Sequence, residues 1–203
     1  MKNLIKNEQI KFNFNPFGGL DDDENNFVLQ PEIDFKEVEE LLKDNSAITI
    51  ELVGRKGRGK TSHLRALSNY IKDCEFIQLS TTNKAFSTNT KKSIYIIDSI
   101  HHLKLTNRLS LWRQKNNSFI ISTHISKKLE FISTGRKFKS YKIGQNSKED
   151  LKLLIQKRIA LASNINNFHD IDLNNTFLEN LSAKHKSDKR AILTNLYSSF
   201  KQK

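Results

Sequence analysis

Short apolar runs alternate with amphipathic ones through the middle of the chain, and the two periods predict the elements. AITIELV (Ala47 to Val53) is β-branched and almost wholly apolar, the pattern of a strand covered on both faces. Cys74 to Ser80, Ser93 to Ser99, Asn117 to Thr123 and Phe138 to Ile143 repeat that pattern. Helical spacing fills the intervals. Asp34 caps a helix running to about Lys43, Leu64, Leu67 and Ile71 lie on one face of the next, and further helices span Leu103 to Gln114 and Ser126 to a terminating Gly135. Strand and helix alternating in this order predict an α/β fold, a five-stranded parallel sheet flanked by helices.

After residue 145 only helical spacing remains. Ser147 and Asp150 form a capping-box pattern opening a helix with Leu151, Leu154, Ile155, Ile159 and Leu161; a second helix runs near Thr176 to His185, and a third starts at a Ser187 cap. The organisation expected is an irregular N-terminal arm (1–33), an α/β domain (34–145) and a small helical lid (146–203), the last too small to stand securely alone.

Composition narrows the picture. The chain has 203 residues, 36% of them apolar, with one cysteine (Cys74) and no membrane-length apolar run, so a reduced cytoplasmic protein is expected. The net charge of +12 is unevenly spread: residues 21–50 carry ten acids against two lysines, whereas 51–203 carry 29 basic and 11 acidic residues. A basic body of this kind suits polyphosphates, nucleic acid or acidic partners. Lysine outnumbers arginine 26 to 8 beside abundant Asn and Ile, a mix that an AT-rich coding sequence also gives.

Candidate chemistry is concentrated in GRKGRGKT, Gly54 to Thr61, which satisfies G-x-x-x-x-G-K-[ST] between a predicted strand and a predicted helix. That context predicts a P-loop. Backbone amides from Gly54, Arg55, Lys56, Gly57, Arg58 and Gly59 through Lys60, Thr61 and Ser62 would cradle a β-phosphate at a helix N-terminus, with Lys60 along the β- and γ-phosphates. Thr61 would offer a hydroxyl to Mg²⁺, and Asp98, closing SIYIID, would hold the metal from the neighbouring strand. A nucleoside triphosphate and Mg²⁺ are therefore the expected ligands.

With these motifs in place the chain resembles the AAA+ ATPases over roughly residues 47 to 200, especially the initiator-loader, transposition-helper and signalling branches. IYIIDSIHHL is similar to their Walker B strand, and FIISTH to the sensor-1 strand, which implies that Thr123, with Ser122 the lesser candidate, watches the γ-phosphate. KSDKRAIL resembles the sensor-2 pattern, which implies that Arg190 reaches the phosphates. The resemblance also places an arginine finger at Arg136, with Arg108 and Arg113 as competitors, and implies other subunits as partners.

One departure bears on mechanism. Ser99 stands where the family usually has a Glu that deprotonates the attacking water, and a hydroxyl cannot replace a carboxylate in that role. His101 and His102 are nearby alternatives. The expectation is thus a nucleotide-dependent switch or slow ATPase, with a non-hydrolysing adaptor or a DNA-associated ATPase as alternatives. Asn83-Lys84 is not followed by the x-Asp of a guanine reader, which argues against a GTPase. Asn15, Pro16 and Phe17 are candidates for a wall beside adenine.

Overall fold

The computed structural model describes residues 4–5, 10–44, 47–82, 93–144, 147–163, 165–186 and 188–201. The Ser187 cap and the Asn83-Lys84 pair lie outside these residues. The chain divides into two compact units, Pro31–Gly144 and the combination of Met1–Gln30 with Gln145–Lys203.

The first unit is the expected α/β sheet. Its strands are β1 (Ile48–Val53), β2 (Cys74–Gln78), β3 (Ile94–Asp98), β4 (Ser118–Thr123) and β5 (Lys137–Lys142), and its helices α2 (Phe35–Asp44), α3 (Lys60–Tyr70), α4 (Leu105–Trp112) and α5 (Lys128–Ser133), whereas α1 (Asp22–Val28) lies in the other unit. All strands pair in parallel in the order β2-β3-β4-β1-β5. The register sets Val53 beside Thr123 and Gln78 beside Asp98, so the carboxyl ends of β1, β3 and β4 share one edge.

Side-chain alternation builds two cores on this sheet. Ile50, Leu52, Ile96 and Ile120 point to the face covered by Val38 of α2 and Leu64 and Leu67 of α3. Tyr95, Ile97, Phe119 and Ile121 point to the other, against Trp112 of α4 and Phe131 of α5. Gly135 ends α5 with φ 65°, the left-handed turn that glycine adopts without penalty.

Two polar residues sit in the middle of β1, on the face opposite Ile50. Glu51 is fully buried, accepting from Ser126 Oγ (2.8 Å), the Lys127 N–H (2.6 Å) and Ser140 Oγ (2.8 Å). Thr49, also fully buried, accepts from Arg136. A buried carboxylate is tolerated only when its lone pairs are filled, and here three donors fill them.

The second unit holds α1 (Asp22–Val28), α6 (Lys148–Ser163), α7 (Asn175–Lys184) and α8 (Lys189–Lys201). Ser147 and Asp150 form the expected capping box: the Ser147 N–H donates to Asp150 Oδ2 (2.8 Å) and the Asp150 N–H to Ser147 Oγ (3.2 Å). At α8 the Asp188 carboxylate accepts from the Ala191 N–H at 3.0 Å. The irregular arm expected over residues 1–33 is corrected on two counts. Asp21 and Glu24 make a second reciprocal box that starts α1. Moreover Leu4, Ile5, Phe17 and Val28 share one core with Leu151, Ile155 and other helical residues. Arg158 of α6 donates to the carbonyls of Pro16 (3.1 Å) and Gly18 (3.0 Å), and Asn15 Nδ2 to that of Tyr197 (3.2 Å). Phe17, a candidate adenine wall, is thereby buried in the core of the helical unit. Among the described residues no helix is long and apolar enough to cross a membrane.

Candidate functional site

The loop between β1 and α3 leaves the carboxyl edge of the sheet pinned from both sides. The Gly54 N–H donates to the Thr123 carbonyl (3.2 Å) and the Ile143 N–H to that of Val53 (2.7 Å). A Cβ on Gly54 would lie 2.3 Å from the Ile143 carbonyl oxygen, so only glycine fits there. Gly57 (φ 77°) and Gly59 (φ 89°) take left-handed backbone, and Gly59 stands as the N-cap of α3 with no side chain over the helix end. A helix N-terminus open in this way presents amides and the positive end of its dipole to an anion.

His63, one turn into α3, locks the loop to the entry segment of the sheet unit. Its ring is fully buried; Nδ1 meets the Gly59 carbonyl at 2.9 Å and Nε2 accepts the Glu32 N–H at 3.0 Å, which assigns the neutral tautomer. The Glu32 carboxylate in turn accepts the Gly144 N–H at 2.7 Å. Neither His63 nor Glu32 was legible as part of the site, because the contact joins positions 31 residues apart.

Lys60 is buried and folded onto its own loop, Nζ donating to the carbonyls of Gly54 (2.6 Å) and Arg55 (2.9 Å). Thr61 Oγ1 donates to Asp98 Oδ2 at 2.9 Å, joining the two residues expected to hold Mg²⁺. The other oxygen of Asp98 accepts from Ser122 Oγ, which also receives the Ser99 N–H at 2.7 Å. Arg55 and Lys56 are exposed at the loop tip, and Gly57, Arg58, Gly59, Thr61 and Ser62 are half-buried around it.

A nucleotide and its metal fit these groups. Among the described residues no cluster of three His, Cys, Asp or Glu side chains could cage a metal ion. One hydroxyl and one carboxylate at 2.9 Å are instead what Mg²⁺ needs when phosphate oxygens and water complete its shell.

Of the pair expected at the end of β4, Ser122 rather than Thr123 touches Asp98, since Thr123 Oγ1 turns away to the Ile125 carbonyl at 2.9 Å. Alternation along a strand sends neighbours to opposite faces, and Ser122 has the face that Asp98 uses. His124, not anticipated, lies with Nδ1 3.5 Å from Lys60 Nζ and 3.3 Å from the Gly54 carbonyl.

Arg136 corrects the arginine-finger expectation. Only 6% exposed, its guanidinium donates to Thr49 Oγ1 (2.9 Å), the Ile48 carbonyl (3.0 Å) and the carbonyls of Gln114 and Asn117, with Phe119 beneath it at 5.0 Å. Burial pushes its pKa down to about 10, so it stays protonated at neutral pH. These partners lie at the amino edge of the sheet, about 16 Å of strand from the P-loop at ~3.3 Å per residue, and a finger must reach out of its own subunit. Arg108 is likewise engaged, by Glu130 and the Leu103 carbonyl, whereas Arg113 is exposed after α4. Arg190 is exposed in the first turn of α8, within the helical unit.

No family profile matches the sequence, and no curated protein matches it. Solved structures do match in fold. Two variants of RuvB from Thermotoga maritima align with TM-scores of 0.51 and 0.52 at 15% identity, over 83% and 80% of this chain. The chain spans 62% and 58% of those RuvB chains. Domain III of the Thermotoga maritima replication initiation protein DnaA aligns with a TM-score of 0.51 at 14% identity, over 87% of each chain. At such identities the likeness establishes the architecture, the parallel sheet with its accompanying helices.

Proposed function

We propose that this chain is an ATP-binding P-loop protein of AAA+ type, acting as a nucleotide-dependent switch or slow ATPase within a larger assembly. The observation that carries the proposal is the contact of Thr61 with Asp98 beside the buried Lys60 ammonium, at the edge where the P-loop leaves the sheet. The fold neighbours are AAA+ P-loop ATPases, which accords with it. Here Lys60 leaves its loop carbonyls for the β- and γ-phosphates, Thr61 and Asp98 hold Mg²⁺, and Ser122 responds to the γ-phosphate through Asp98. Differential contact with the γ-phosphate is the source of free energy for switching.

The test is binding of a fluorescent ATP analogue in Mg²⁺ buffer. Wild type binds, and Lys60→Ala weakens binding by at least about tenfold, the loss of one charge-assisted contact. A wild-type protein with no affinity for any nucleoside triphosphate would sink the proposal. The alternative, an adaptor that keeps its nucleotide unhydrolysed, is favoured by the hydroxyl of Ser99 at the place of a carboxylate base. It predicts tight nucleotide binding by wild type, with turnover at background in wild type and Lys60→Ala alike.

A further inference from the structure

Three imidazoles stand in a row from the P-loop outward. His124 is nearest Lys60 (Nδ1 to Nζ 3.5 Å); the His101 ring lies 4.7 Å from that of His124, and the His102 ring 4.3 Å from that of His101. They come from two segments of the same sheet edge. His101 and His102 sit on the 3₁₀ turn Ile100–His102 after Asp98, and His124 directly follows β4. The fold holds both segments tightly. Ser99 takes left-handed backbone (φ 64°) and gives its N–H to Ser122, which aims the turn. Glu51, buried in the middle of β1, fixes the Ser126 hydroxyl and the Lys127 N–H just past His124.

The groups acting on His101 are all basic: His102 from its own turn, His124 after β4, Lys127 before α5 and Lys60 from α3. Burial first, and then repulsion by these four, hold the His101 imidazole below its ordinary value. A neutral imidazole is a competent proton acceptor near neutral pH.

Building on the ATP site proposed above, we propose that His124 is the general base that replaces the missing carboxylate, with His101 as the residue that positions it. A water oxygen forms the new bond to the γ-phosphorus, and the bond from that phosphorus to the bridging oxygen breaks. ADP departs with the electron pair. One water proton passes to the ring of His124 and on to solvent, and the other stays on the phosphate. The sheet edge sets the geometry: His124 Nδ1 lies 3.3 Å from the Gly54 carbonyl, beside the loop that the Lys60 ammonium leaves for the phosphates.

The experiment combines ATP-analogue binding with single-turnover hydrolysis across pH 5.5 to 8.5. His124→Gln keeps a polar group of similar reach but accepts no proton. It should lower the hydrolysis rate by about 10²-fold or more, the scale of general-base assistance, while affinity stays within about threefold. Wild type should gain rate as an imidazole loses its proton, and this inflection should vanish in His124→Gln. In His101→Gln the base is kept but the ring packed against it is gone, so the rate should fall severalfold while the inflection with pH persists. Added imidazole should restore part of the rate of His124→Ala. Hydrolysis by His124→Gln at the wild-type rate, or wild type that binds the analogue and never turns ATP over, overturns the base while leaving the ATP site intact. Absence of binding in wild type removes the ATP site as well.

Discussion

At the residue scale the chemistry depends on which side chains the carboxyl edge of the sheet brings within reach of Lys60. Thr61 bridges to Asp98, and Asp98 to Ser122, so a metal ion entering this chain would take over a bond that the hydroxyl of Thr61 now makes. Thr61→Ala should therefore weaken Mg²⁺-dependent nucleotide binding by roughly tenfold and leave metal-free binding nearly unchanged, read by titrating the analogue with and without EDTA. Arg136 behaves in the opposite way. Arg136→Ala strands its acceptors in a dry interior, and urea unfolding should show a loss of about 3 kcal/mol or more, with ATP affinity in the surviving folded protein unaffected. The P-loop glycines, Lys60, Thr61 and Asp98 were legible because their spacing is itself the chemistry. Ser122, His124 and the inward turn of Arg136 were not, because each depends on register: Val53 opposite Thr123, and Ile48 beside the chain that precedes β4. A one-residue slip would exchange the roles of Ser122 and Thr123.

At the scale of elements, α4 and α5 are clamped by one carboxylate. Glu130 accepts from Arg108 Nε (2.9 Å) and Nη2 (2.7 Å) and from Trp112 Nε1 (3.0 Å). Burial raises the Glu130 pKa, but the Arg108 and Trp112 hydrogen bonds and the nearby Lys127 charge outweigh it, so the carboxyl ends below its ordinary value of 4.5. A carboxylate depressed by folding contributes stability above the unfolded value, and that contribution fades as pH drops from 4.5 through the folded value. Denaturant midpoints measured from pH 6 down to pH 3 should fall more steeply for wild type than for Glu130→Gln, which has no charge to lose. The strands and the helices of the sheet unit were legible from two clean periods. The helix α1 was overlooked because seven residues rich in Asp and Asn carry too few apolar positions to show a period, although the Asp21 and Glu24 pair that starts it is plain in the sequence.

At the scale of the whole molecule, charge and connectivity matter most. The excess of 29 basic over 11 acidic residues in 51–203 supplies a field for polyanions. If that field grips nucleic acid, affinity for a mixed-sequence duplex should fall about 10³-fold or more between 50 and 200 mM salt for six or more phosphate contacts, whereas a flat or immeasurable response excludes it. The lid expected from the last sixty residues alone was too small because part of its core lies at the other end of the sequence. Leu4, Ile5, Phe17 and Val28 fill the space among α6, α7 and α8, and the Leu4 carbonyl accepts the Asn174 N–H at 2.9 Å.

Because that helical unit is drawn from both sides of an inserted sheet, the ribosome releases its two halves in separate episodes. The sheet's own contacts lie within residues 31–144, so they can form while α6 is still being made. Leu4, Ile5 and Phe17 must meanwhile wait with their oily faces bare. Nascent chains stalled before residue 148 should bind an apolar-seeking chaperone through the segment that carries Phe17 and Val28, and chains extended past α8 should release it.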